Sequence, residues 1–101
     1  MGVSVAPREG SAPYRIHVDG AFDFSVYREF REAYKGFEKG SDVLVDLSRA
    51  TYLDSSALGM LLMLREHVGG GQGNIRLQVS DVPEIRRVVE IARFGDLFHL
   101  E

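Results

Sequence analysis

The sequence predicts a small α/β domain in which a mixed β-sheet is covered by packed helices, in the order β-β-α-β-α-β-α with a short closing strand. Three observations carry this. Two strand-like segments near the start are separated by a brief turn, which predicts an antiparallel hairpin. From there on, strand-like and helix-like periodicities alternate, which implies parallel pairs joined by right-handed crossovers. Finally, Val43-Leu44-Val45-Asp46-Leu47 is nearly continuous in apolar character, as in a strand buried on both faces.

Each element has its own justification. Val3 and Val5 mark a first strand that ends near Pro7. Tyr14, Ile16 and Val18 alternate with Arg15, His17 and Asp19, the period of a strand with one buried face, until Gly20 breaks the pattern. Ser25 is the expected N-cap of a first helix, with Val26, Phe30, Ala33, Tyr34 and Phe37 on one face. Lys35 and Lys39 fall in its last turns and Gly40 is its expected end. After the 43–47 strand, a second helix begins within Asp54 to Ser56 and runs to about Val68, where glycines 69 to 71 stop it. Ile75, Leu77 and Val79 alternate with polar residues in a further strand. Asp81 or Val82 would cap a third helix with Pro83 in its first turn and Ile85, Val88, Val89 and Ala92 on one face. Gly95 is its expected stop, and Leu97 to Leu100 form a short last strand.

At 101 residues, the chain makes one domain, 1–101, with one core. An apolar share of 45% against 27% charged residues places it among ordinary soluble proteins. The net charge of −3 comes with scattered basic residues, which argues against nucleic-acid binding. The absence of cysteine excludes disulfides, zinc thiolates and thiol catalysis. No apolar run has the length of a signal peptide or a membrane span. The expectation is a cytoplasmic domain without cofactor or metal.

The second helix carries the feature that bears on function. With about 100° per residue, Ala57, Leu61, Leu64 and Val68 form the natural core face. Ser55, Gly59, Leu62 and Glu66 form the opposite stripe, with Met63 beside it. Apolar groups on a water-facing stripe imply either a neighbouring helix or a partner protein as cover. Gly59 removes side-chain bulk one turn from Ser55, so another surface could approach the hydroxyl. A serine at a helix start sits where free N–H groups and the helix dipole favour an anion. Phosphorylation there would add about −1.5 to −2 charge. Asp and Ser are also the preferred N-cap residues, so the residues themselves leave the choice between cap and switch open.

The segment VLVDLSRATYLDSSALGMLLMLREH, 43–67, closely resembles the centre of the STAS domain in bacterial anti-sigma-factor antagonists. VDGAFDF, 18–24, resembles that family's strand-to-helix turn. VSDVPEIRRVVEIARFGDLF, 79–98, resembles its last helix, so the likeness covers almost the whole chain. It implies a STAS fold and a non-enzymatic role as a phosphorylation-regulated antagonist. By the same likeness Ser55 is the phosphoacceptor, Asp54 and Asp23 support it, and Ser56 is a cap. The implied partners are an anti-sigma factor acting as a serine kinase, with a histidine-kinase-like ATPase fold, and a metal-dependent serine phosphatase. The unphosphorylated form would bind the anti-sigma factor and free its target. Gly59, Leu62 and Met63 are the expected docking surface. Two departures stand out: Ala21 occupies a position where the family often has Glu, and Ala57 one where many members have Gly. STAS domains also serve as unphosphorylated scaffolds and as accessory subunits of signalling or lipid-transport complexes, and that is the alternative.

Other readings are weaker. A nucleophile elbow needs small residues two positions either side of the serine, and Ser55 has Leu53 on one side. His17, His67 and His99 have no metal-ligand spacing and no evident acid partner in the sequence. The glycine-rich 69–73 segment follows a helix and lacks a lysine, so it reads as a C-cap and turn.

Overall fold

In the computed structural model, residues 2–69, 75–96 and 98–100 are described, apart from the side chain of His99. The elements are β1 (Gly2–Ala6), β2 (Tyr14–Phe22), α1 (Tyr27–Tyr34), β3 (Val43–Leu53), α2 (Ser55–Val68), β4 (Ile75–Val79), α3 (Pro83–Ile91) and β5 (His99–Leu100). One five-stranded sheet has the order β1-β2-β3-β4-β5. β1 pairs antiparallel with β2, and every later pair is parallel. The mixed α/β architecture therefore matches the expectation.

The topology dictates where the helices go. Parallel strands that step across the sheet in one direction, joined by right-handed crossovers, put all three helices on the same face. Burial follows that rule. Ile16, Val18, Val45, Leu47, Ile75 and Leu77 lie in one core cluster with Phe30, Leu61, Leu64, Ile85 and Val89 from the helices. Residues of the other sheet face, such as Arg15, Ser48, Arg76 and Gln78, are exposed. Leu44 is the exception on that face, at 8% exposure, so the apolar run of β3 marks a strand largely buried on both sides at its start.

Several boundaries differ from the sequence reading. Gly20 does not end β2. It takes φ +81°, and the strand continues to Phe22 through register shifts between His17 and Asp19 and between Gly20 and Ala21. β3 runs on to Leu53, six residues past Leu47, because beyond the end of β4 it still pairs with β2. The first helical segment is capped by Asp23, not Ser25: its carboxylate accepts the Ser25 N–H at 2.9 Å and opens a 3₁₀ turn over Phe24–Val26 that leads into α1. α1 stops at Tyr34, short of Gly40. Gly36 follows the capping Lys35, and glycine is a poor helix residue. Lys39 thus lies beyond the helix. Gly40 instead makes a left-handed turn at φ +84° and donates its N–H to Val68 O at 2.6 Å.

α2 matches closely. It begins at Ser55 and ends on Gly69, whose φ of +66° forms the left-handed C-cap. Gly70 to Asn74 lie outside the described residues. Val82 precedes α3 without a side-chain cap, and Ser80 Oγ accepts its N–H at 3.0 Å. Gly95 is not the stop of α3; the helix ends at Ile91, Arg93 turns through φ +60°, and Gly95 sits within a 3₁₀ turn over Phe94–Asp96.

Candidate functional site

Parallel pairing of β2 and β3 builds the site. Phe22 and Leu53 are register partners at the strand ends, and both are buried. The next residue on each strand is therefore an aspartate, Asp23 on one and Asp54 on the other. Both adopt almost the same backbone, with φ/ψ of −138°/−170° and −137°/−173°. Each accepts the N–H and the hydroxyl of a serine two residues on: Ser25 for Asp23, Ser56 for Asp54. Asp23-Phe24-Ser25 and Asp54-Ser55-Ser56 are the same turn made twice, side by side.

Sequence reasoning gave Ser56 the capping role. The structure assigns it to Asp54, whose Oδ1 accepts Ser56 N at 3.0 Å; Ser56 is the residue held by the cap. Asp54 Oδ2 accepts the Tyr52 hydroxyl at 3.3 Å. The Ser56 hydroxyl bond, opposed by burial and reinforced by the Ser56 N–H and by Tyr52, holds the Asp54 carboxyl below the ordinary aspartate range. The acid is thus engaged with Ser56 and Tyr52, not with Ser55. Ser55, the first residue of α2, is exposed.

The stripe below Ser55 is open to solvent, and at Met63 and Glu66 it borders α1 across a cleft. Gly59, Met63 and Glu66 are exposed, and a Cβ added at Gly59 would meet nothing within 4 Å. Leu62 is half-buried and packs partly against the core, so it belongs to both surfaces. The opposite face, Ala57, Leu61, Leu64 and Val68, is fully enclosed at 0% exposure.

Three aromatic residues near the site were missed. Tyr52 is exposed, and the Asp54 carboxylate, with a smaller contribution from Asp23, raises its phenol above the usual value. Phe24 is 68% exposed and stacks on Tyr27 with ring centroids 5.1 Å apart. The repeated Asp-x-Ser pattern was the available signal: aligning the two copies puts Phe24 where Ser55 stands. One histidine also has an acid partner that the sequence did not reveal. His17 and Asp46 are register partners, and Nδ1 lies 3.1 Å from Oδ2.

Residues 5–100 match the family described as "Mlab, STAS domain". The chain belongs to the STAS domain family. It is 41% identical over 101 residues to a STAS-domain containing protein of Pseudomonas aeruginosa strain UCBPP-PA14, covering 99% of each chain. Its fold resembles that of the anti-sigma factor antagonist SpoIIAA in its unphosphorylated form, with a TM-score of 0.71 and 16% identity over 99% of this chain and 88% of the other. A protein of the DUF3478 family from Shewanella loihica PV-4, with a SpoIIAA-like fold, matches with a TM-score of 0.56 and 14% identity over 99% of this chain and 84% of that one. Among the described residues, no helix of this STAS domain is long and apolar enough to cross a membrane.

Proposed function

We propose that this protein is a phosphorylation-regulated antagonist of the anti-sigma-factor type, working by partner binding and not by catalysis. Unphosphorylated, it binds a serine kinase of histidine-kinase-like ATPase fold, or a similar partner, and so releases that partner's target. Phosphorylation of Ser55 switches the binding off, and a metal-dependent serine phosphatase restores it. The observation that carries this reading is the placement of Ser55. Its hydroxyl stands at the exposed first position of α2, while the neighbouring acid is spent on Ser56 and Tyr52. A kinase can therefore reach it without unfolding the helix start.

Asp54 and Asp23 act by fixing the two turns, and Ser56 by anchoring the cap. Gly59, Leu62 and Met63 supply the docking stripe, on which a bare serine is tolerated and a phosphate carries desolvation and repulsion costs. Intact-mass measurement of the protein purified from its native cells, with Ser55→Ala as control, tests the reading. The expected result is one phosphate that disappears in the variant. Phosphate at another residue, or none in any growth condition, overturns the reading in favour of an unphosphorylated scaffold or accessory subunit of a signalling or lipid-transport complex.

A further inference from the structure

The groove between α1 and α2 is a second interaction feature. A cleft of 460 Å³ is lined by Arg31, Tyr34 and Lys35 of α1 and by Met63, Glu66 and His67 of α2. A neighbouring cleft of 430 Å³ is lined by Tyr27, Arg28, Arg31 and Glu32. Both clefts have Arg31 in their lining and lie next to each other along α1. Their linings include the half-buried Tyr27, the exposed Met63 and the edge of Tyr34, which is 5% exposed. Arg28, Arg31 and Lys35 follow at i, i+3 and i+7, one edge of a helix. Glu32 and Glu66 are the acids present, so cations predominate in a chain whose net charge is −3. The Lys35–Glu32 pair is exposed on both sides and holds Lys35 only weakly. His67 is fixed by Phe37 O at 3.0 Å and by the Tyr34 ring at 5.2 Å, which keeps the wall formed. Tyr27, in the lining of the second cleft, stacks on Phe24, the residue after Asp23.

We propose that these clefts receive an acidic amphipathic helical segment of the same partner that reads Ser55, with apolar residues on Tyr27 and Met63 and carboxylates toward Arg28, Arg31 and Lys35. A helix laid in a groove buries its apolar face on such a lining, and complementary charge sets its orientation. The proposal rests on the antagonist reading for the identity of the partner, but the groove is tested without it. The unphosphorylated, ¹⁵N-labelled protein is titrated with a synthetic peptide of about 15 residues, long enough to form a helix on docking. The peptide carries leucines on one face and glutamates on the other; its counterpart has lysines for the glutamates.

The expected result is saturable amide shifts confined to α1 and the second half of α2 with the glutamate peptide alone. Arg31→Glu with Lys35→Glu should weaken binding about tenfold or more, and Gln78→Ala, exposed on the other face of the sheet, should leave it unchanged. Equal binding of the lysine peptide, shifts centred on other elements, or no binding overturns the proposal. Stronger displacement at the same residues by inorganic phosphate or phosphatidylglycerol vesicles also overturns it, in favour of a small anion or a lipid surface. Loss of groove binding with Ser55 phosphate present in cells removes only this proposal; groove binding without Ser55 phosphate removes only the switch.

Discussion

Asp54→Ala removes the acceptor of Ser56 N and of the Ser56 and Tyr52 hydroxyls in one step. An N-cap acid changed to alanine costs ~0.5–2 kcal/mol, and an anion at a helix start contributes ~0.3–1 kcal/mol through the dipole. The site is partly open to solvent, so about 1–2 kcal/mol in all is expected. That corresponds to a fall in Tm of roughly 5–15 °C for a domain of this size. Asp54→Asn keeps a good capping oxygen and loses only the charge, so it should cost about 0.3–1 kcal/mol. Urea unfolding followed by circular dichroism measures both. The pH dependence separates cap from charge. Because the carboxyl is held low in the folded state, its charge contributes stability above the unfolded value of ~3.9 and loses it as pH falls through the folded value. Asp54→Asn should flatten that acid limb relative to the parent. Equal losses in the two variants at neutral pH, or an Asp54→Ala loss within experimental error, would refute the cap as the organiser of the turn.

Further predictions follow from the same geometry. Gly59→Ala places a methyl in open space within a helix, so it should raise stability by about 0.5–1 kcal/mol in chemical denaturation; if Gly59 admits the partner, binding should weaken in the same protein. Met63→Asp should leave stability within about 0.5 kcal/mol, whereas Leu62→Asp, half-buried, should cost about 1–3 kcal/mol. Both should remain folded by circular dichroism and lose partner binding; unfolding by Leu62→Asp would make that residue core. Leu64→Ala, at a fully enclosed position, should cost about 2–5 kcal/mol in the same denaturation assay. The Tyr52 phenol should titrate above the ordinary tyrosine value, and Asp54→Asn should bring it down, as read by the ring carbon shift in NMR.

Where one face of an element meets the core and the other meets water, the sequence was legible. Tyr14, Ile16 and Val18 in β2, and Ile75, Leu77 and Val79 in β4, announced themselves by alternation. The end of β3 did not. Past Leu47 it has lost β4 as a neighbour, so Ser48, Arg49, Thr51 and Tyr52 are exposed and read as a loop, although they still extend along β2. The end of α1 misled for the opposite reason. Phe37 keeps helical spacing with Val26, Phe30 and Tyr34, but it reaches the core from the segment after the helix, stacked on Tyr14 at 3.8 Å. Apolar spacing records who joins the core, not the backbone that brings them there. Asp23 and Ser25 both carry capping side chains, and only the backbone, which folds Ser25 onto Asp23, makes Asp23 the cap. At Asp54 the same ambiguity fell on Ser56.

The twin turns bear on how a switch at Ser55 would work. Because Phe22 and Leu53 are in register, the two carboxylates stand on adjacent strand ends. Both are already committed to N–H groups at the helix starts. The positive end of α2, which would otherwise favour a phosphate, is therefore partly neutralised by Asp54 before any modification. A phosphate on Ser55 adds about −1.5 to −2 charge beside two existing anions. It gains less from the helix than it would at a start capped by a neutral residue. The added charge would stand next to the exposed stripe of Gly59 and Met63, where an incoming surface would have to displace its water. In this arrangement the Asp54 cap fixes the backbone at Ser55, so the change a partner would meet on phosphorylation would be one of charge and hydration on a fixed frame.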